Sequence, residues 1–318
     1  MAPFFVPGFR NPGTKGLHIN YSSSGKKDRF EEISDLLKKY DGIIDYEVYK
    51  TTCKGDGREY VRNYLLTHPK EETYRFYAIG GDGSLHDVVN GAYAFENAEV
   101  ACYPSGSGND FIKNFKDDDG FRDLERLIHG KVKKVDLLKA NDKVSINIFN
   151  YGFDGEVTFK MHRIKRWPLM NGKSAYNVAA VSSLLFNMST KMKITLDDEV
   201  AFDDKGLLIA VANGHTYGGG YKCAPESKVD DGLIDVCLIK KISRFSAPSL
   251  MSVYKKGEHL TNKKLTGKII YKKCRHVIIE SPAPVAYAID GEVFREGYID
   301  ITILPLALNF ILPEGYVE

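Results

Sequence analysis

Apolar runs alternate with helix-spaced apolar positions from Leu17 to Gly130. Leu17 to Asn20 reads as a short strand, followed by the small-residue loop Tyr21-Ser22-Ser23-Ser24-Gly25 with a basic end at Lys26-Lys27. From about Asp28, Phe30, Ile33, Leu36 and Leu37 share one helical face. Ile43 to Tyr49 alternates as a strand, and Arg58 to Leu66 reads as a helix. The run Phe76 to Ile79 enters Gly80-Gly81-Asp82-Gly83-Ser84, and Leu85, Val88, Val89 and Ala92 then recur at helical spacing. Glu99 to Tyr103 is a strand ending in Pro104-Ser105-Gly106-Ser107-Gly108-Asn109-Asp110, and Phe121 to Ile128 is helical up to Gly130. Strands separated by helices predict a parallel sheet with crossover helices.

The pattern changes near Lys134. From Val135 to Ile303 the chain is mostly strand-like, with turns expected at Asn141-Asp142, Asp197-Asp198 and Asp203-Asp204. Helical stretches interrupt it around 158–188 and 246–257. The apolar tail Ala307 to Leu312 reads as a strand returning to the first sheet. The expected organisation is therefore an α/β N-terminal domain, residues 1–134 completed by 304–318, plus a β-rich, sandwich-like C-terminal domain, residues 135–303.

Charge and composition narrow the function classes. A net charge of +2 over 318 residues gives no global field for nucleic acid, and no nucleic-acid partner is expected. Five scattered cysteines form no Cys-x-x-Cys pair, which argues against a zinc site or disulfide framework and suits a reducing cytoplasm. Met1 to Gly16 lacks the apolar core of a signal peptide, and no run of about 18 apolar residues suggests a membrane span. Arg163, Lys165, Arg166 and Trp167, just before the apolar run Ala175 to Met188, suit an anionic membrane surface or, equally, a solvated turn before a packed helix.

Three small-residue loops follow strands, at Ser22–Lys26, Gly80–Ser84 and Ser105–Asn109. In a parallel sheet such loops gather at the carboxyl ends of the strands, where ligands bind. Gly80–Ser84 alone is either a phosphate cradle, with Ser84 capping the next helix, or an ordinary strand-to-helix turn. Three such loops favour the cradle. None is a P-loop or a dinucleotide fingerprint.

The turn Gly80-Gly81-Asp82-Gly83-Ser84, followed by Asn90-Gly91 and then by Pro104 to Phe111, resembles the diacylglycerol kinase catalytic-domain family. That family takes in bacterial diacylglycerol and other lipid kinases, is related to sphingosine and ceramide kinases, and shares its glycine turn with NAD kinases. Ser84 and Ser107 stand for the usual threonines, His86-Asp87 for Asn-Glu, and Tyr21 for a proline after Asn20. Phe149 to Val157, Tyr217 to Asp235 and Ala288 to Glu292 are similar to later segments of the family, with Gly155 where alanine is usual.

The resemblance implies an ATP-dependent kinase for a lipid hydroxyl, foremost diacylglycerol, with the site between the two domains. Alternatives are a kinase for a sphingoid or other alcohol or for NAD, and a non-catalytic nucleotide or lipid sensor. The implied nucleotide-binding residues are Asn20, Thr51, Gly80, Gly81, Asp82, Gly83, Ser84, Leu85, His86, Ser107 and Asn109. Asp82 is expected to orient Mg²⁺ or the turn itself. Glu292 or Asp290 is the implied catalytic base, set against a hairpin turn with solvated acids. A structural Mg²⁺ is implied at Asp231 with the carbonyls of Lys228 and Leu233, set against a plain polar turn. The implied cofactors are ATP and Mg²⁺. The implied partner is a lipid substrate at a membrane surface, reached peripherally from the cytoplasm, and a homodimer is left open.

Overall fold

The computed structural model describes residues 16–21, 30–106, 108–116, 119–164 and 189–317. The Ser22–Lys26 loop, Ser107 and the stretch 165–188, with Trp167, lie outside the described residues, as does the Arg163 side chain. The chain divides into two compact units, Met1–Val135 with Leu306–Glu318, and Asp136–Pro305.

In the first unit the elements are β1 (Gly16–Tyr21), α1 (Phe30–Leu37), β2 (Tyr46–Lys50), α2 (Asp56–Thr67), β3 (Tyr74–Gly80), α3 (Asp82–Ala92), β4 (Ala98–Pro104) and α4 (Leu124–Ile128). The strands run parallel in the order β2–β1–β3–β4. Every residue of β4, and all but Arg75 in β3, is buried, as expected for parallel strands covered on both faces. Gly91 lets α3 close onto α2, because a Cβ there would sit 2.7 Å from the Arg58 carbonyl oxygen and 2.8 Å from Val61 Cβ. The expected helix at Phe121–Ile128 is instead a 3-10 turn at Gly120–Arg122 followed by α4. Asp123 breaks it by capping the amides of Glu125 and Arg126.

β5 (Lys131–Ala140) carries the chain out of the first unit and β13 (Glu292–Leu312) carries it back. The end of β13 lies parallel to β4, pairing Asn309 with Glu99 and Phe310 with Val100. Phe310 is buried against Phe111, edge to face at 5.0 Å, and Phe115, stacked at 5.7 Å. Aromatic burial of this size fixes the tail strand.

The second unit holds β6 (Lys143–Ser145), β7 (Ile148–Gly152), α5 (Phe153–Ile164), β8 (Thr190–Leu196), β9 (Glu199–Ala212), β10 (Ile234–Lys240), α6 (Ala247–Lys256), β11 (Ile269–Cys274), β12 (His276–Ile289) and most of β13. Its strands pair antiparallel in the order β11–β10–β9–β7–β12–β13, with β8 also joining β9 to β12. Alternate residues of β9 and β10 enter two cores. Ile209, Val211, Val236 and Leu238 face a core built from strands alone, as in a β-sandwich. Leu208, Ala210, Cys237 and Ile239 face one shared with α5 and α6.

Asn141, Asp197 and Asp198 have positive φ and turn their hairpins. Asp203-Asp204, expected as a turn, lies inside β9. Both residues are exposed and Asp203 takes the Lys191 ammonium from the paired strand at 2.6 Å, so a solvated strand face gave the same polar signal as a turn.

Candidate active site

In the first unit the strand register brings the described residues among those predicted to bind nucleotide to one edge. Asn20 pairs with Tyr49 and Ala78 near the end of β1, Thr51 follows the last residue of β2, and Gly80 pairs with Pro104 where β3 and β4 end. Gly81 to His86 then open α3, and Asn109 lies in the loop after β4. Helix N-termini present amides that no earlier carbonyl satisfies, an arrangement that can receive an anion such as a phosphate.

Gly81, not Ser84, precedes the helix. Ser84 N and Leu85 N both donate to Gly81 O, at 3.0 and 3.2 Å, which places Ser84 inside the first turn. Asp82 takes the first helical position, where a negative charge favours the helix dipole. Its carboxylate is turned sideways, accepting from Asn109 N at 2.9 Å and Asp110 N at 2.6 Å. Gly80 O accepts from Ser105 N, Gly106 N and the Asn109 side-chain amide, at 2.9, 3.1 and 2.9 Å. Two of the three predicted loops are thus stapled to each other.

The staple explains two glycines. A Cβ on Gly106 would lie 2.4 Å from Gly81 Cα, and one on Gly108 would lie 2.3 Å from Asp82 Oδ2. Asn109 adopts φ 51°, a left-handed conformation that asparagine tolerates. Asp87, in place of the usual glutamate, accepts from Gly55 N at 3.0 Å and ties the loop after β2 to α3. His86 is buried, and its carbonyl accepts from Asn90 Nδ2 at 2.9 Å.

In the second unit Asp290 and Gly291 are the two residues of a tight hairpin between β12 and β13. Their φ values, 47° and 90°, are those of the turn that an Asp-Gly pair favours. Asp290 is not a solvated acid. Its Oδ1 accepts from Ser145 Oγ at 2.7 Å, Ile148 N at 3.1 Å and Asn147 N at 3.2 Å, while Oδ2 accepts from Ile146 N at 3.1 Å. Glu292 opens β13, half-buried. The predicted pair of carboxylates is therefore split: Asp290 anchors the hairpin to residues 145–148.

Sequence reasoning missed those anchoring residues, because three of the four donors are main-chain amides, which leave no compositional mark, and the fourth, Ser145 Oγ, is far from Asp290 in sequence. It also gave no role to Asp154. That side chain is buried at the start of α5, and burial pushes its pKa up from 3.8 to about 6, partly offset by a hydrogen bond from the Tyr217 hydroxyl. Gly155, which departs from the family's alanine, touches the hairpin strand directly: a Cβ would lie 2.1 Å from Ala286 O. Glu156 then binds Arg295 of β13 at 2.7 Å.

The Asp231 turn joins the same network. Asn213 Nδ2 donates to Ile146 O and Asp136 O, both at 2.8 Å, and Asp136 Oδ2 accepts from Gly232 N at 2.7 Å. Asp231 itself accepts from Leu233 N at 3.1 Å and from Lys273 Nζ at 2.8 Å. The same ammonium reaches Asp235 Oδ2 at 3.0 Å and Glu226 O at 3.4 Å, matching its three donors with three oxygens. Burial opposes the Lys273 charge, but the bonds to Asp231 and Asp235 outweigh it and hold its pKa above the ordinary lysine value. Among the described residues no three metal-type side chains converge. As arranged, Lys228, Asp231 and Leu233 surround a turn neutralised by the Lys273 ammonium, which does not fit a resident magnesium ion.

Two family models match the chain. The diacylglycerol kinase catalytic domain matches residues 17–140, and the YegS C-terminal NAD kinase beta sandwich-like domain matches 147–312. A protein of Shewanella frigidimarina named probable lipid kinase YegS-like is 30% identical over 244 residues, 74% of this chain and 75% of that one. The diacylglycerol kinase of Bacillus subtilis is 25% identical over 283 residues, covering 87% and 90%. The crystal structure of a putative diacylglycerol kinase from Bacillus anthracis superposes with a TM-score of 0.74 at 21% identity, over 97% of this chain and 100% of that one, which shows the shared fold. The chain belongs to the diacylglycerol kinase catalytic-domain family, in the branch that carries the YegS-type C-terminal domain.

Proposed function

We propose that the chain transfers the γ-phosphate of ATP to the free hydroxyl of diacylglycerol, giving phosphatidic acid. Its being an ATP-dependent lipid kinase follows from its family; the acceptor and the residue roles are the proposal. The amides at the start of α3 and the stapled loop after β4 hold the phosphates of ATP, which arrives as its magnesium complex. Asp82 shapes that cradle by fixing Asn109 and Asp110. Glu292 takes the proton of the acceptor hydroxyl. The observation behind this division of labour is the engagement of Asp290 by four donors, which commits that carboxylate to holding the hairpin; Glu292, at the start of β13, is then the acid of the turn assigned to the proton.

The protein works from the membrane surface in this reading. No helix among the described residues is long and apolar enough to cross a bilayer. The test is radiolabelled ATP offered with diacylglycerol, a sphingoid base, a ceramide and NAD. Label in phosphatidic acid alone or foremost supports the proposal. Label foremost in another acceptor replaces diacylglycerol, and label in none returns the sensor reading.

A further inference from the structure

The second unit carries a concentration of positive charge that the phosphoryl-transfer site does not use. Residues 240–275 contain eleven lysines and arginines against one carboxylate, Glu258, in a chain whose net charge is +2. The fold brings several of these cations together. Lys240, the last residue of β10, donates its amide to Lys268 O at 2.9 Å, and Lys241 N donates to Lys205 O at 3.0 Å. Lys268 N in turn reaches Leu265 O at 2.9 Å, which draws in Lys264. Next to Lys205 in sequence stand Asp203, already bound to Lys191, and the exposed Asp204. Among the described residues, Lys205, Lys240, Lys241, Arg244, Lys264 and Lys268 enter no ion pair.

A tight turn projects from this cluster. Ser246 N donates to Ser243 O at 3.1 Å and to Ser243 Oγ at 3.2 Å, and the two serine hydroxyls bond at 2.7 Å. Arg244 and Phe245 occupy the tip, and Phe245 is 97% exposed. The turn is held in place, since α6 begins immediately after it and buries Ala247 and Leu250. Backbone and serine contacts close the turn, so the phenyl ring contributes nothing to the fold and is left in water.

We propose that this end of the second unit, with Phe245 at its tip, is the surface that docks on an anionic lipid bilayer. The inference deepens the lipid-kinase reading and rests on it for the nature of the partner. An aromatic ring on a protruding turn inserts at the headgroup boundary, while surrounding cations meet lipid phosphates. A nucleic-acid site would instead set its aromatic rings along a basic groove, where bases stack. Each basic side chain close to an anionic leaflet is worth about a fivefold change in partitioning.

The test is cosedimentation of the full chain with vesicles of phosphatidylcholine alone or mixed with phosphatidylglycerol. Binding is expected to the mixed vesicles and to weaken with salt. K240E/K241E/R244E is expected to lower it about 100-fold. Phe245→Ser is expected to lower it about tenfold, with the melting temperature unchanged. Phosphorylation of an acceptor dispersed in detergent micelles stays at the wild-type level in both variants. Wild-type affinity for mixed vesicles in both variants, or no binding by the wild type, overturns the proposal. So does loss of binding to an oligonucleotide with vesicle binding intact. If no acceptor is phosphorylated while the vesicle pattern holds, the kinase reading fails and the docking surface stands.

Discussion

Ser145 Oγ donates to Asp290 Oδ1 at 2.7 Å, and three amides of the following residues join the same carboxylate. Asp290 thereby acts as the clamp of the hairpin whose return strand starts with Glu292. Asp290→Asn puts an N–H where only donors point. It is expected to destabilise the fold by about 2–4 kcal/mol, since hydrogen bonds to a charged group are lost and amides are left unmet. Urea denaturation checks this. Wild-type stability in the variant would remove the clamp.

The glycine contacts between the two stapled loops give a second expectation. Gly108→Ala drives a methyl onto the Asp82 carboxylate. The loops must part, so KM for ATP rises about tenfold or more, while KM for the acceptor in micelles changes little. Steady-state kinetics with each substrate varied separate the two. Equal shifts in both would point to general unfolding rather than a parted cradle.

Asp154 sets a pH dependence. Its folded pKa of about 6 lies above the unfolded 3.8, so the folded state holds the proton more tightly. That favours folding below pH ~4 and is lost as pH rises through about 6. Asp154→Asn keeps a partner for Tyr217 without the buried charge. It is expected to raise stability at pH 7.5 by about 2 kcal/mol and to flatten the slope between pH 4 and 6. Melting temperatures across that range read the effect, and parallel curves for variant and wild type would contradict it.

Lys273 predicts the response to metal removal. Its ammonium serves Asp231 and the fully buried Asp235, so chelation with EDTA is expected to leave the melting temperature of the wild type unchanged. Lys273→Met leaves two carboxylates without their cation and costs about 2–3 kcal/mol, less than a fully buried pair because the lysine is partly exposed. A fall in the melting temperature of the wild type on chelation would restore a resident magnesium ion at Asp231.

What the sequence made legible was set by periodicity and by small residues. The strand–glycine–helix pattern around Gly80 and the Asp-Gly pair at 290–291 both carry backbone requirements, and such requirements show in residue type. The partners of Asp82 and most of those of Asp290 did not show, because they are main-chain amides, which any residue supplies; the one side-chain donor, Ser145 Oγ, lies 145 residues away in sequence. Ser84 looked like a cap because serine caps many helices, yet Gly81 precedes the first turn and Asp82 fills it. Asp203-Asp204 looked like a turn because exposed strand faces and turns are both polar. The ammonium of Lys273 was hidden for another reason: its partners Asp231 and Asp235 are brought to it by strand pairing, with Asp235 directly opposite it in the ladder.

The proposed role of Glu292 as the base for phosphoryl transfer to a lipid hydroxyl is open to direct measurement. The most direct measurement is transfer of the ATP γ-phosphate to diacylglycerol in micelles by the wild type and by Glu292→Gln, with melting temperatures recorded alongside. The expected result is labelled phosphatidic acid from the wild type, and turnover lower by about 10²–10⁴-fold in a variant that melts with the wild type. Equal turnover in the two proteins would contradict it.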